Sequence, residues 1–309
     1  MNLLEAFSYV GHHPLEFIFC IILALIPSIV WAFIFCRKHK ERAGVVLWTF
    51  FVGMLSAVIV LAYQYFWGTK FNLGFFSVEA LNFAENIDSN FTNSILVSFL
   101  VFMSVGLMEE YLKHWVVKKA DHDFFRSVDD VIELSIIAAL GFAFLENVGY
   151  FFRQILTTGG EGVMGLFLIR STLVVFIHIL CSGIYGYFYG RGYFSKPIYE
   201  DEKLHGKKLY IPKIMHKLFH FKEEVVYHDE MTSLGLIVSV LLHGFYDFAL
   251  DINMSLGEIL SLSFLNNIEL FHIIPPIILV FGFYALNQML EDEEDQKEFG
   301  KKIIIEDYQ

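Results

Sequence analysis

The sequence has little to cross-link it or to break it, with three cysteines and six prolines in 309 residues. Cys20, Cys36 and Cys181 all fall inside apolar runs, which excludes a disulfide framework, a paired-cysteine zinc site and a redox motif, and leaves packing as their expected role. So few prolines exclude a collagen-like chain. Charge is scarce as well, at 18% of residues, and positive charge is the scarcer sign: 22 Lys and Arg against 34 Asp and Glu give a net charge of −12. That balance excludes a basic nucleic-acid binder, and the low charge excludes a disordered chain. No internal repeat or low-complexity tract appears apart from the acidic run EDEED at 291–295.

Apolar residues fill the space: 56% of the chain is hydrophobic and the mean hydropathy is +0.54. A soluble core cannot absorb that share, so the expected fold class is all-α, a polytopic membrane protein. Crossing about 30 Å of hydrocarbon takes about 20 apolar residues per helix, and about seven spans are expected, near 15–36, 44–67, 92–117, 131–153, 164–189, 233–252 and 267–289. The first run follows a segment without Lys or Arg and is not followed by a small-residue cleavage site, so it is expected to be retained. Polar or turn-forming segments at 37–42, 68–74, 157–162 and 253–258 separate the runs. All but Lys70, Arg153 and Arg170 of the 22 Lys and Arg fall at 37–42, at 113–128, which takes in the end of the third span, at 190–232 or after 289, which predicts the N-terminus outside and the C-terminus inside.

The domain reading is one integral-membrane unit over 1–309 with a four-helix catalytic core at 92–252. A cytoplasmic loop at 190–232 and an acidic cytoplasmic tail at 290–309 complete it. The loop reads as a solvated connector in preference to a membrane-surface element, although Lys213, Lys217 and Lys222 stand beside Ile214, Leu218 and Phe221. The abundant phenylalanines are expected at lipid and packing surfaces, and Gly183, Gly186 and Gly190 where helices approach closely.

Against this background the charges inside the spans stand out, since each costs about 2.5–3.5 kcal/mol on insertion scales and persists where it pairs, faces a cavity or does work. Span three carries Glu109, Glu110 and Lys113; span four Glu133 and Glu146; span five Arg170 and His178; span six His243, Asp247 and Asp251. Residues three or four apart share a helix face, so Lys113 can neutralise either glutamate, and His243 neighbours Asp247. Adjacent glutamates point about 100° apart, so one is expected to act and the other to support. Glu133, Arg170 and Asp251 lie near span ends where side chains snorkel, and read as structural or gating residues.

Three clusters, EEYLK at 109–113, FAFLEN with Tyr150, and HGFYD at 243–247, resemble the three signatures of the PrsW family of intramembrane proteases. Glu109, Glu110, Lys113, Phe142, Glu146, Asn147, Tyr150, His243 and Asp247 meet every fixed position. The resemblance implies a membrane-embedded endopeptidase of the glutamic type, distantly related to the CAAX-processing and bacteriocin-processing proteases. Its implied substrates are membrane-anchored regulatory proteins such as anti-sigma factors, and its implied location is the bacterial cytoplasmic membrane. No nucleic acid is expected as partner.

Peptide hydrolysis needs a base for water, donors for the oxyanion and an acid for the leaving amine. Glu109 is the expected base, with Glu110 the close alternative and Lys113 beside them. His243, oriented by Asp247, and Asn147 are the expected donors, with His178 a further donor or proton shuttle and Glu146 in the same catalytic set. No cofactor is expected. The rival enzyme reading is a metalloprotease in which Glu109, Glu110, Glu146, His178, His243 and Asp247 hold zinc or another divalent metal, although no His-Glu-x-x-His occurs. An ion-coupled transporter, or a non-catalytic protein that binds membrane helices, are the readings from other classes.

Overall fold

A computed structural model of the chain describes residues 10–35, 43–70, 91–120, 122–207, 210–251 and 270–291. Cys36, the segments at 37–42, 71–74 and 253–258, and the tail from 292 onwards lie outside the described residues. The helices are α1 (Pro14–Phe35), α2 (Ala43–Lys70), α3 (Phe91–Ala120), α4 (Val128–Thr158), α5 (Val163–Tyr193), α6 (Ser195–Leu204), α7 (Tyr210–Phe219), α8 (Glu223–Asp251) and α9 (Leu270–Glu291). Each expected span coincides with one of α1 to α5, α8 and α9. Among the described residues five stretches are long and apolar enough to cross a membrane: Pro14–Phe35, Ala43–Ala62, Val163–Tyr193, Glu223–Leu250 and Ile273–Glu291. The helices α3 and α4 are the two whose runs are interrupted by charge.

The hub is α4, which packs against α1, α2, α3 and α5. Every residue from Val128 to Phe144 is buried, the pattern of a helix apolar on all sides. Its start is fixed by a reciprocal cap: Ser127 Oγ accepts from Asp130 N at 3.2 Å, and Asp130 Oδ2 accepts from Arg126 N at 2.8 Å. It ends at Gly159, whose φ of 67° suits the left-handed cap. Because α4 runs to Thr158, Glu146 lies about 18 Å from its C-terminal end, deep in the helix; a span ending at 153 would leave it shallow.

Close approach to α2 rests on two facing glycines. A Cβ on Gly53 would stand 2.2 Å from the Ala138 carbonyl oxygen, and one on Gly141 2.0 Å from that of Phe50, so neither position has room for a side chain. Gly186 and Gly190 do similar service between α5 and α4, while Gly183 meets Leu286 of α9.

The expectation of a solvated connector over 190–232 is corrected here. That stretch is helical through most of its described length, since α5 continues to Tyr193, α6 and α7 follow, and α8 already begins at Glu223. The reason is burial: Tyr193, Phe194, Ile198, Tyr199 and Tyr227 join the main apolar core. Charges at both ends of the stretch are paired: Arg191 donates to Glu202 at 2.5 Å, Lys207 donates to the same carboxylate at 2.9 Å, and Tyr199 donates to Glu223 at 2.5 Å, while 210–222 stays largely exposed. Burial and the acceptance of its proton by Glu223 push the Tyr199 phenol well above its ordinary value.

Gly141→Val should lower the thermal unfolding midpoint of the detergent-purified protein, at a cost of at least the roughly 1–3 kcal/mol typical of overpacking. An unchanged midpoint would mean that α2 and α4 are not in contact at this point.

Candidate active site

Four helices converge on one buried cluster. Glu109, Glu110 and Lys113 come from α3; Phe142, Glu146, Asn147 and Tyr150 from α4; Arg170 and His178 from α5; His243 and Asp247 from α8.

Lys113, 1% exposed, sits at the centre. Its ammonium donates to Glu110 Oε1 at 2.6 Å and to His178 Nδ1 at 2.9 Å, and lies 4.5 Å from the centre of the Phe142 ring. An ammonium has no lone pair to give, so His178 Nδ1 must be the acceptor and the ring proton must sit on Nε2. That proton is donated to Glu146 Oε2 at 3.1 Å. One lysine thus fixes both the partner of Glu110 and the tautomer of His178.

Glu110 Oε1 also accepts from His243 Nδ1 at 2.7 Å. The other face of that imidazole, Nε2, looks into the gap between Glu109 Oε2 at 3.7 Å and Asp247 Oδ2 at 3.5 Å. The expected pairing of His243 with Asp247 is therefore present but secondary, because the closer, aligned bond that orients the ring comes from Glu110. The two glutamates have separate situations. Glu110 Oε1 is held by two donors, while Glu109 Oε2 and the second oxygen of Glu110, Oε2, are buried without a hydrogen-bond partner; of these two, Glu109 Oε2 is the one that faces His243 Nε2.

A second charge centre lies above the first. Arg170 Nη2 is 2.8 Å from Glu146 Oε2, its Nε donates to Asn147 Oδ1 at 2.6 Å, and its guanidinium lies 3.7 Å from the Tyr150 ring centre. Because arginine can only donate, Asn147 is oriented with its oxygen toward Arg170, and its buried Nδ2 is left without a hydrogen-bond partner. The side chains of Glu146 and Asp247 are 19% and 27% exposed while that of Glu110 is wholly buried, so the cluster opens on the side of Glu146 and Asp247.

The arrangement of α5 depends on an irregularity. Residues eight apart in an ideal α-helix are offset by about 80°, yet Arg170 and His178 both reach Glu146 Oε2. Between them Arg170–Val174 forms a widened π turn, which takes up the offset. This corrects the reading of Arg170 as a residue snorkelling at a span end: it is 7% exposed and turned into the cluster. The available signal was its eight-residue spacing to His178, outweighed by its nearness to a boundary. Glu133 is likewise buried, far from the cluster along α4, and the Asp251 side chain lies outside the described residues.

These features define a class: a polytopic helical membrane protein with a buried acid, imidazole and cation cluster shared by four helices. Residues 41–281 match the family described as "PrsW family intramembrane metalloprotease", and the chain belongs to that family. It is 38% identical over 96 residues to Protease PrsW of Geobacillus kaustophilus, a match covering 30% of this chain and 39% of that protein. It is 31% identical over 154 residues to Protease PrsW of Bacillus subtilis, covering 49% and 54%. The match to Protease PrsW of Clostridioides difficile is 24% over 237 residues, covering 75% and 79%. The first two matches thus span about two-fifths and half of those relatives' length. No solved structure matches the chain. With bacterial relatives and five membrane-length helices among the described residues, it is a multi-pass bacterial membrane protein.

The family description implies a metal, and the side chains test it. Glu109, His178 and His243 bring one potential ligand atom each within 4.8 Å of the others, as do Glu110, Cys181 and His243. Glu109 Oε2 has lone pairs to offer, and His243 Nε2 has one only while the ring is neutral. His178 does not, since Nδ1 accepts from Lys113 and Nε2 donates to Glu146. In the second set Glu110 is bound to an ammonium and to His243 Nδ1, and the Cys181 thiol is buried at 0% exposure. A dication would also stand beside the Lys113 charge. As arranged, neither set supplies the three free protein ligands of a catalytic zinc site.

Lys113→Met should destabilise the protein by about 3–5 kcal/mol, because it strands a buried carboxylate. Adding Glu110→Gln should restore more than half of that loss. Unfolding of the purified single and double variants measures both, and additive losses would contradict the pairing.

Proposed function

We propose that the chain is an intramembrane endopeptidase that hydrolyses peptide bonds of membrane-anchored regulatory proteins, anti-sigma factors among them, with water activated by a glutamate. The observation that carries this reading is the unpartnered, buried Glu109 Oε2 facing His243 Nε2, next to a glutamate already committed to Lys113. The names of the relatives support the reaction class.

In this mechanism a water at Glu109 Oε2 gives its proton to the carboxylate as its oxygen attacks the peptide carbonyl carbon. Asn147 Nδ2 and His243 Nε2 supply hydrogen bonds to the developing oxyanion, the latter as imidazolium, whose charge the surrounding carboxylates balance. Glu109 then returns the proton to the leaving amine as the C–N bond breaks. Glu110 holds His243 in place, Lys113 holds Glu110 and His178, and Arg170 holds Asn147 with its amide nitrogen free. Asp247, an acceptor when ionised, adds negative charge beside His243 and does not bind the oxyanion.

The metal-dependent reading has the family description and the cluster of Glu109, His178 and His243 in its favour. Its obstacle is the occupied lone pair of His178. Purified protein should cleave a membrane-anchored substrate equally well before and after chelation. Stoichiometric zinc that leaves together with activity would reverse the assignment.

Comparing new protein N-termini in membranes of cells carrying the native chain or Glu109→Gln at equal abundance tests the activity and finds the substrate together. Termini close to a membrane span should appear with the native chain alone. Removing an oxyanion donor with Asn147→Ala should slow the same cleavage by about 10²–10³. Matching profiles for the native chain and Glu109→Gln would reject Glu109 as the base.

A further inference from the structure

The helix α7 contributes nothing to the cluster, and its outer face has no partner among the described residues. Its inward side is thin. Pro212 is buried and Met215 is partly so, the helix leans on α8, and its first turn, Tyr210 and Ile211, lines an open pocket of about 360 Å³. Its outer side is apolar: Tyr210, Ile211, Ile214 and Leu218 fall within about 100° of one another on the helix wheel. They are 63%, 50%, 53% and 63% exposed.

The C-terminal end extends this surface. The backbone turns at His220 with φ of 60°, His216 Nδ1 donates to the Phe221 carbonyl at 2.7 Å, and the exposed rings of Phe219 and Phe221 stack with centres 5.8 Å apart. Lys213 and Lys217 lie along one edge of the apolar face, and Lys222 follows Phe221; all three are exposed. No acidic residue occurs between 210 and 222. This segment joins α6 to α8, a helix long and apolar enough to cross a membrane, which carries exposed Leu234, Ile237 and Leu241.

We propose that α7 is an interfacial helix that docks on the anionic phospholipid headgroups of the protein's own membrane. Its apolar face enters the boundary between headgroups and acyl chains while Lys213, Lys217 and Lys222 reach lipid phosphates. Charge chooses this occupant, because an exposed apolar face edged by three lysines and no acid fits a negatively charged bilayer surface. Each basic residue near such a surface strengthens attachment about fivefold.

The test is hydrogen–deuterium exchange of the full chain reconstituted into vesicles of phosphatidylcholine alone or mixed with phosphatidylglycerol, with no other protein present. Amides of 210–222 should exchange several-fold more slowly in the mixed vesicles, and added salt should erase the difference. Lys213→Gln, Lys217→Gln and Lys222→Gln should each remove a fraction of it, with exchange in α4 unchanged as proof of folding. Equal exchange of 210–222 in both vesicle types would overturn the proposal, as would protection that salt does not weaken. The native protein alone, with and without salt, keeps the test decisive if a variant misfolds. None of these outcomes depends on cleavage.

Discussion

The buried ammonium of Lys113 is the constraint on which the rest of the cluster depends. It binds Glu110 and His178 together, and through them it sets two imidazoles: His243 by way of Glu110, and His178 directly. A lysine at mid-helix is costly in a membrane, and the cost is tolerable here because each of its contacts is a hydrogen bond or the face of a ring. Its consequence is a division of labour between adjacent glutamates. Glu110 is tied through one oxygen to both a cation and an imidazole, whereas Glu109 Oε2 has no donor and faces the Nε2 edge of His243.

Arg170 has the corresponding role in the layer above, and the two cations together account for two of the four acids in the cluster. Lys113 answers Glu110 and Arg170 answers Glu146. Glu109 and Asp247 are left to share the single edge of His243. This excess of negative charge around one imidazole suits a group that takes a proton from water but repels a developing oxyanion, which must therefore be met by hydrogen-bond donors. It also explains why Asn147 matters: held by Arg170, it offers a neutral donor in a place otherwise crowded with acceptors.

Much of this is readable in the sequence, because membrane insertion makes polar residues conspicuous. Among the described residues hydropathy locates the seven long helices, five of which are long and apolar enough to cross a membrane, and the i, i+3 and i, i+4 spacings place Glu110 with Lys113 and His243 near Asp247. What spacing within a helix cannot give is the pairing between helices. The bond from Lys113 to His178 spans α3 and α5, and that from Glu110 to His243 spans α3 and α8, so the true orienter of His243 is invisible to it. Arg170 is misjudged from sequence because a π turn, which leaves no simple trace there, rotates it inward. The stretch at 190–232 is misjudged at its two ends, where Tyr193, Phe194, Ile198, Tyr199 and Tyr227 join the core, while its middle is exposed as its charges suggest.

In the proposed mechanism Glu109 faces water and not a metal, with Lys113 closing off His178. An experimental structure at a resolution that places waters tests it most directly, provided the crystals are also measured for anomalous scattering at the zinc edge. The account predicts a water within hydrogen-bond reach of Glu109 Oε2 and the Lys113 ammonium turned toward Glu110 and His178 Nδ1. A metal bound by Glu109, His178 and His243, with Lys113 displaced from His178, would contradict it.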